Sequence, residues 1–302
     1  MTVQNYVTPT GKLVVVGEPR RIREKNLGTV ANGYPGRLVT RGATDYDVKV
    51  TDGVGAPIGF LGFPGEFEGT DLQYTAGDIS TILTVDSAVP VYSGGGFTIY
   101  MPGGLAAGTK AVEGDLLFSW ANGQVVPGVA LGGRYALKVP FTNTSGTTQV
   151  DTKVDIPGSV RITDCMLNVS TAASGGTLDV GFINAGENGD EDGLLDGESC
   201  TNTGLVSHNL VDGTAGNITL GALLEELEIA EANGGTAVTL AVPTGYKTDG
   251  TIKSLVYTPS NHAIAGDIYV FIESPGFVPV GRAGAAADAT SAAVGIFVEA
   301  TL

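Results

Sequence analysis

Short β-branched and apolar runs recur along the whole chain, and each is closed after a few residues by Gly, Pro, Asn or Asp. Such runs lie at 12–16, 37–40, 46–51, 79–85, 97–101, 115–120 and 124–126, with SGGG, PGG and ANG among the punctuation between them. Runs this short, interrupted this often, leave almost no room for a helix and read as strands joined by turns. The 46 glycines among 302 residues, with abundant Thr, Val and Ala, fit that reading. ANG at 121–123 is a strong hairpin signal, because Asn-Gly tolerates positive φ at both central positions. GDLLFSWANGQVVPG is therefore expected to be two strands and a tight turn. The first half reads as a small β-barrel with a long, partly extended N-terminal arm.

Composition shifts near ALGGRYALKVP, followed by the polar FTNTSGTTQVDT. This places a boundary close to residue 138, with domains at 1–138 and 139–302. The second half offers strands at 159–170, 177–183, 237–242, 251–258 and 267–273. Val160, Ile162 and Met166, then Leu178, Val180 and Phe182, put apolar residues on one face. That pattern predicts an antiparallel β-sandwich, jelly-roll-like. LGALLEELEIAEANGG reads as one short helix, with Leu220, Leu223, Leu224 and Leu227 at i, i+3, i+4, i+7 spacing and Asn233-Gly234-Gly235 as its stop. The tail ends in a strand at 294–300, able to close a sheet in its own chain or in a neighbour. The fold class is all-β throughout, apart from that helix.

Charge divides the chain unevenly. Residues 1–49 hold eight Lys/Arg and four Asp/Glu, a charge of +4, while the remainder carries −20. A net charge of −16 argues against nucleic acid, whose phosphates demand a supply of Lys and Arg, and against an anionic membrane surface. Few Lys, many Asp/Glu and small apolar residues fit a halophilic protein. The basic end is expected to press against an acidic partner. Its candidates are Arg20, Arg21, Arg23, Lys25, Arg37 and Arg41, of which the first four form the dense patch RRIREK. The opening MTVQNYVTPTGKLVVV has no apolar stretch of signal-peptide length, and no run approaches a membrane span.

The chemistry-bearing candidates are few. The loop ENGDEDGLLDGES (187–199) has Asn188, Asp190, Asp192 and Gly193 in the order of the first half of a calcium loop, with Asp196 near the ninth position. Ser199 stands where such a loop needs a bidentate Glu, so a divalent cation competes with a plain solvated loop. Cys165 and Cys200 lack any CxxC partner, which argues against zinc and leaves a disulfide between them or, as the preferred reading, two buried free thiols. His208 and His262 lie in polar turns, with no GxSxG or HExxH near them. Glu66 and Glu68 sit at the i, i+2 spacing of an exposed strand face. No catalytic residues emerge, and the expectation is a protein that is not an enzyme and needs no cofactor.

GTKAVEGDLLFSWANGQVVPGVALGG (108–133) resembles the structural cement and decoration proteins of tailed viruses. There a small β-barrel carries a Gly-Asp strand opening, here Gly114-Asp115, then a hairpin and a Gly/Pro-rich exit. VRITDCMLNVSTAASGGTLDVGFINAGENGDEDGLLDG resembles the outer β-sandwich of some capsid-surface proteins, including turret-like ones. The resemblance implies a virion protein made in the host cytoplasm and carried on the outer capsid surface. Its partners would be the major capsid protein and its own copies, as a homotrimer or, alternatively, a pentamer. The first domain would dock on the shell and the second project outward. The competing expectation is a host-receptor or glycan-binding spike, for which Tyr246 and Tyr257 are the aromatic candidates.

Overall fold

The computed structural model describes residues 15–17, 19–29, 32–62, 82–83, 88–183, 190–206, 211–212, 220–221, 223–226, 239–240, 242–243, 245–248 and 253–302. Nearly all their regular structure is β, and the one helical element is a three-residue 3-10 turn. The first ten strands are β1 (Val15–Gly17), β2 (Arg20–Thr29), β3 (Leu38–Arg41), β4 (Asp47–Val50), β5 (Pro57–Leu61), β6 (Ala88–Ser93), β7 (Phe97–Leu105), β8 (Lys110–Ala111), β9 (Leu116–Ser119) and β10 (Val125–Leu131). There follow β11 (Arg134–Asn143), β12 (Val150–Ile156), β13 (Arg161–Thr171), β14 (Thr177–Ile183), β15 (Leu195–Ser199), β16 (Gly204–Val206), β17 (Val211–Asp212), β18 (Glu225–Glu226), β19 (Thr239–Leu240), β20 (Val242–Pro243), β21 (Tyr246–Lys247), β22 (Lys253–Pro259) and β23 (Ile264–Glu273). The chain ends with β24 (Pro279–Ala283), β25 (Ala287–Asp288) and β26 (Val294–Ala300). Two compact units result: residues 1–129 with 274–302, and residues 130–273. The boundary read near 138 falls inside β11, and the C-terminal tail packs with the first unit.

In the first unit, β2-β4-β3-β5-β6 closes on itself, with β2 and β4 parallel and the other pairs antiparallel. Leu27, Val39, Val48, Leu61, Val89 and Val91 fill its interior, two of them from β6 and one from each other strand, and closure leaves no free edge. From residue 20 onward the basic N-terminal segment is part of this barrel. Arg20–Asn26 pair with Ser93–Ala88 of β6, and Leu27 is fully buried, so the segment is a structural strand. A second set of strands runs β7-β26-β24-β9-β10, and Val125 of β10 lies parallel to Leu105 of β7. Ile99, Met101, Leu117, Val280, Ile296 and Val298 make its core. Phe60 meets Phe97 edge-on at 5.8 Å between ring centroids, joining the two groups of strands within the unit.

The hairpin expected at ANG is present. Asn122 and Gly123 have φ of 58° and 66°, and the Trp120 amide donates to the Gln124 carbonyl at 2.9 Å. The last strand, β26, covers the expected residues and lies between β7 and β24 of its own chain.

In the second unit one sheet has the order β11-β23-β13-β16, with β21 also pairing β13, and the other has the order β12-β22-β14-β15. All these pairs are antiparallel. Register places Leu137, Val270 and Cys165 in one cross-strand row and Val139, Ile268 and Leu167 in the next, and all six are buried. Phe141 of β11 meets Tyr257 of β22 at 6.2 Å, and the Tyr257 hydroxyl donates to the Thr142 carbonyl at 3.1 Å. The outer strand β12 is bulged between Asp151 and Asp155, with Lys153 at φ 66°, which spoils it as a template for further pairing.

The helix expected from residue 220 is not formed in its described part. Leu220 bridges Leu195, and Glu225–Glu226 pair with Val242–Pro243 as strands. The physical reason is where the amides go. Gly221 N–H donates to Leu194 O and Leu223 N–H to Gly193 O, at 3.0 and 2.8 Å, instead of up a helix. Gly221 has no side chain to hold the two segments apart, and Leu220 and Leu224 bury their side chains in this arrangement. Tertiary pairing outweighs helix propensity here. Residues 227–235 of that expectation lie outside the described residues.

Candidate functional site: basic and acidic surfaces

The six basic candidates belong to the first unit but are not equivalent. Arg20 is exposed at the start of β2, facing Ser93 across the pair. Arg21, Arg23 and Lys25 follow in the same strand, and their side chains lie outside the described residues. Arg41 is exposed at the end of β3. It lines an open pocket of about 460 Å³ with Lys49, Asp47, Gly28, Gly42 and Ala43. Lys49 is already paired with Asp52 at 3.0 Å. Partial burial pushes the Asp52 carboxyl up, but the Val54 and Gly55 amides and Lys49 outweigh it, and the net shift is downward.

Arg37 differs from the exposed Arg20 and Arg41, being only 7 % exposed. Burial lowers its pKa to about 10 against a small opposing pull from Tyr34, so it remains a cation at neutral pH. It is not a surface docking residue in the sense expected from sequence. The signal that could have flagged it is its place one residue before the apolar strand LVT, where the barrel core begins.

In the second unit the carboxylates gather. Asp179 projects from β14 and accepts the Gly197 amide at 2.7 Å. Asp190, Asp192 and Asp196 follow in the loop and in β15. Asn188 lies outside the described residues. Burial first, and then the neighbouring carboxylates Asp192 and Asp196, raise the Asp179 and Asp190 pKa values; burial and Asp192 raise Asp196. These groups sense one another, yet among the described residues no three His, Cys, Asp or Glu converge to hold a metal ion. The loop is held by its backbone instead: the Phe182 amide donates to Asp190 O at 2.7 Å, and Gly181 leaves room for the 190–191 peptide to lie on β14. Asp151 and Asp155 of β12 share the Ser254 hydroxyl, at 3.4 and 3.0 Å.

Cys165 and Cys200 are both free and buried. Glu198, 2 % exposed, raises the pKa of both thiols through its charge, after the larger effect of burial. Sequence reading missed this buried acid because its strand, LDGES, has Leu195 as its one large apolar residue and no alternation to mark an inward face. It also missed Arg134, which lies over the Phe271 ring at 4.3 Å and pairs with the buried Asp164 at 2.9 Å.

His262 Nδ1 lies 3.2 Å from the Ser260 hydroxyl, which accepts the Thr177 amide at 2.7 Å. Asn143 donates its side-chain amide to the carbonyls of Gly146, Ser260 and His262, so the pair is part of a braced turn. His208, Glu66 and Glu68 lie outside the described residues. Tyr257 is 4 % exposed and Tyr246 is half-buried beside Phe182, so neither offers an open aromatic platform. Comparison of the chain with protein-family models, with curated proteins and with solved structures gives no match.

Proposed function

We propose that this chain decorates the outside of an icosahedral viral capsid and stabilises it by bridging major capsid subunits. The first unit, with its closed barrel, is the docking domain, and the second is an outward-facing jelly roll. The observation that carries the reading is the strand pairing of the second unit. Counting β11 to β16, then β22 and β23, as eight strands, the first pairs the eighth, the second the seventh, the third the sixth and the fourth the fifth. Folding that long ribbon over gives the two observed orders, a pattern that supports reading the unit as the double Greek key of a jelly roll. Jelly rolls serve viral capsids and lectins alike, so the fold alone does not choose. The charge division favours docking, and with Tyr257 buried and Tyr246 half-buried the aromatic support for glycan binding is slight.

On this reading the basic residues of β2, Arg20, Arg21, Arg23 and Lys25, and the exposed Arg41 meet acidic subunits. Burial across subunit boundaries makes expansion or loss of a capsomer cost those contacts, and the binding free energy adds to shell stability by mass action. A homotrimer, or a pentamer at a five-fold vertex, turns individually weak contacts into strong attachment.

Two measurements test the proposal. Light scattering on a sizing column should give a discrete trimer or pentamer. Wild-type protein added to purified shells should bind and raise their melting temperature, and charge reversal at Arg20, Arg21 and Arg23 should reduce occupancy while leaving the far-UV circular dichroism unchanged. Unchanged occupancy in a folded triple variant would rule out the docking face, and absence of wild-type binding would rule out the function.

A further inference from the structure

We propose that the Nε–Nη2 edge of Arg37 is a binding site for a carboxylate. A guanidinium taken out of water needs its charge answered and its N–H groups filled. Arg37 is only 7 % exposed, yet among the described residues no carboxylate lies within ion-pair distance of it. Its intrachain contacts are weak. Nη1 faces the Asn122 carbonyl at 3.4 Å, and the Tyr34 ring centroid lies 5.7 Å from Cζ. Nε is buried with no hydrogen-bond acceptor.

The unfilled groups sit on one side. Nε–H and the adjacent Nη2–H form the edge that a carboxylate grips with two parallel hydrogen bonds. Nη2 opens over Gly103. A Cβ placed on Gly103 would meet Nη2 at 3.1 Å, and among the described residues, its chain neighbours Pro102 and Gly104 aside, no other atom lies within 4 Å of it, so Nη2 is uncrowded on its Gly103 side. The rest of the side chain is fixed. The Arg37 carbonyl accepts the Leu61 amide at 2.8 Å, and the space beside Arg37 Cβ is left only because Gly123 has no side chain. The rim is braced too, by Gln124 Nε2 donating to Gly103 O and Asn32 Nδ2 donating to Asn122 Oδ1, each at 2.9 Å. A pre-positioned fork with one open edge loses little freedom on capturing its anion. The carboxylate is either free or carried on an Asp or Glu side chain of another protein. The site rests on the surroundings of Arg37 and not on the capsid reading, so loss of shell binding with an intact carboxylate response would sink the capsid reading alone.

The test is thermal unfolding of the full chain in sodium acetate against sodium chloride at equal ionic strength, with hexaglutamate peptide as a parallel arm. Wild type should gain about 2–4 °C once acetate stands at about ten times its Kd, and the gain should saturate. Arg37→Met should show no gain. Because that variant risks misfolding, Gly103→Asp provides a second readout. Its φ of +54° is one that Asp tolerates, and its carboxylate would fill the edge from within. It should melt no lower than wild type and be indifferent to acetate. A gain from hexaglutamate at lower concentration than acetate assigns the site to a protein side chain, and a gain from acetate alone assigns it to a small free carboxylate. An equal acetate gain in wild type and Gly103→Asp, or none in wild type, overturns the proposal.

Discussion

Single residues decide two features that a pattern reading passes over. Gly221 is one. A methyl group there would fall on the Asp192 carbonyl and the Gly193 backbone, which are main-chain atoms and cannot swing aside. Gly221→Ala should therefore destabilise the second unit by about 1–3 kcal/mol, the usual range for forced overpacking, read as a lower urea midpoint. An unchanged midpoint would mean that the 220–226 segment does not lie where it is described. The thiols are the other. Burial, aided by the charges of Asp164 and Glu198, lifts Cys165 well above an ordinary thiol, and burial with Glu198 lifts Cys200 to about 12. Only the thiolate reacts. The native protein at pH 8 should leave both cysteines unlabelled by a thiol-specific disulfide reagent, while the urea-unfolded chain labels both. Above about pH 8.5 the unfolded thiols ionise and the buried ones do not, so the native state holds more protons and stability falls as pH rises.

At the scale of elements, sequence and structure agree where local chemistry sets the outcome. The ANG turn and the strands at 177–183 and 294–300 are legible because turn residues and two-residue alternation act within a few positions. They part company where a distant partner sets the outcome. The leucines at 220 and 224 carry a helical spacing, but Gly193, Leu194 and Leu195 capture the backbone first. The basic patch RRIREK reads first as a docking patch because its charges hide a strand whose identity depends on pairing with β6, about sixty to seventy residues away in sequence. Arg37 was legible as a charge but not as a buried one, since the neighbours that the fold brings against it, Asn122 and Gly123, lie some eighty-five residues on. The placement of β26 also makes a prediction. Deleting 294–302 would remove Ile296, Phe297 and Val298 and leave β7 and β24 with open edges. The truncated chain should lose the cooperative unfolding of its first unit and aggregate. Retention of a sharp melt by calorimetry would show that β26 is dispensable.

For the molecule as a whole, the excess of carboxylates sets how stability follows pH and salt. Asp179, Asp190 and Asp196 have folded pKa values raised by burial and by one another. A raised carboxyl binds its proton more tightly in the folded state, so its ionisation costs stability as pH climbs from the ordinary carboxylate value through the raised one. That cost is removed on mild acidification. Asp52, Asp151 and Asp288 run the other way. Against the upward push of burial, the Val54 amide with Lys49 and Gly55 holds Asp52 low and Lys153 holds Asp151 low, while the Thr290 hydroxyl and amide, then Lys110, hold Asp288 at about 2. Their contribution is present above the ordinary carboxylate value and is lost only as pH falls through the depressed values. Between about pH 4 and neutrality the first group alone is changing, and the net charge of −16 adds a general repulsion of the same sign. The melting temperature at low salt should therefore be higher at pH 5 than at pH 7.5. Sodium chloride near 1 M, where the Debye length is about 3 Å, screens that repulsion. It should raise the melting temperature at pH 7.5 by more than at pH 5, because protonated carboxyls have little repulsion left to screen. A melting temperature that falls on acidification to pH 5, or a salt gain equal at the two pH values, would mean that the acidic cluster is not strained and that the surface charge serves solubility alone.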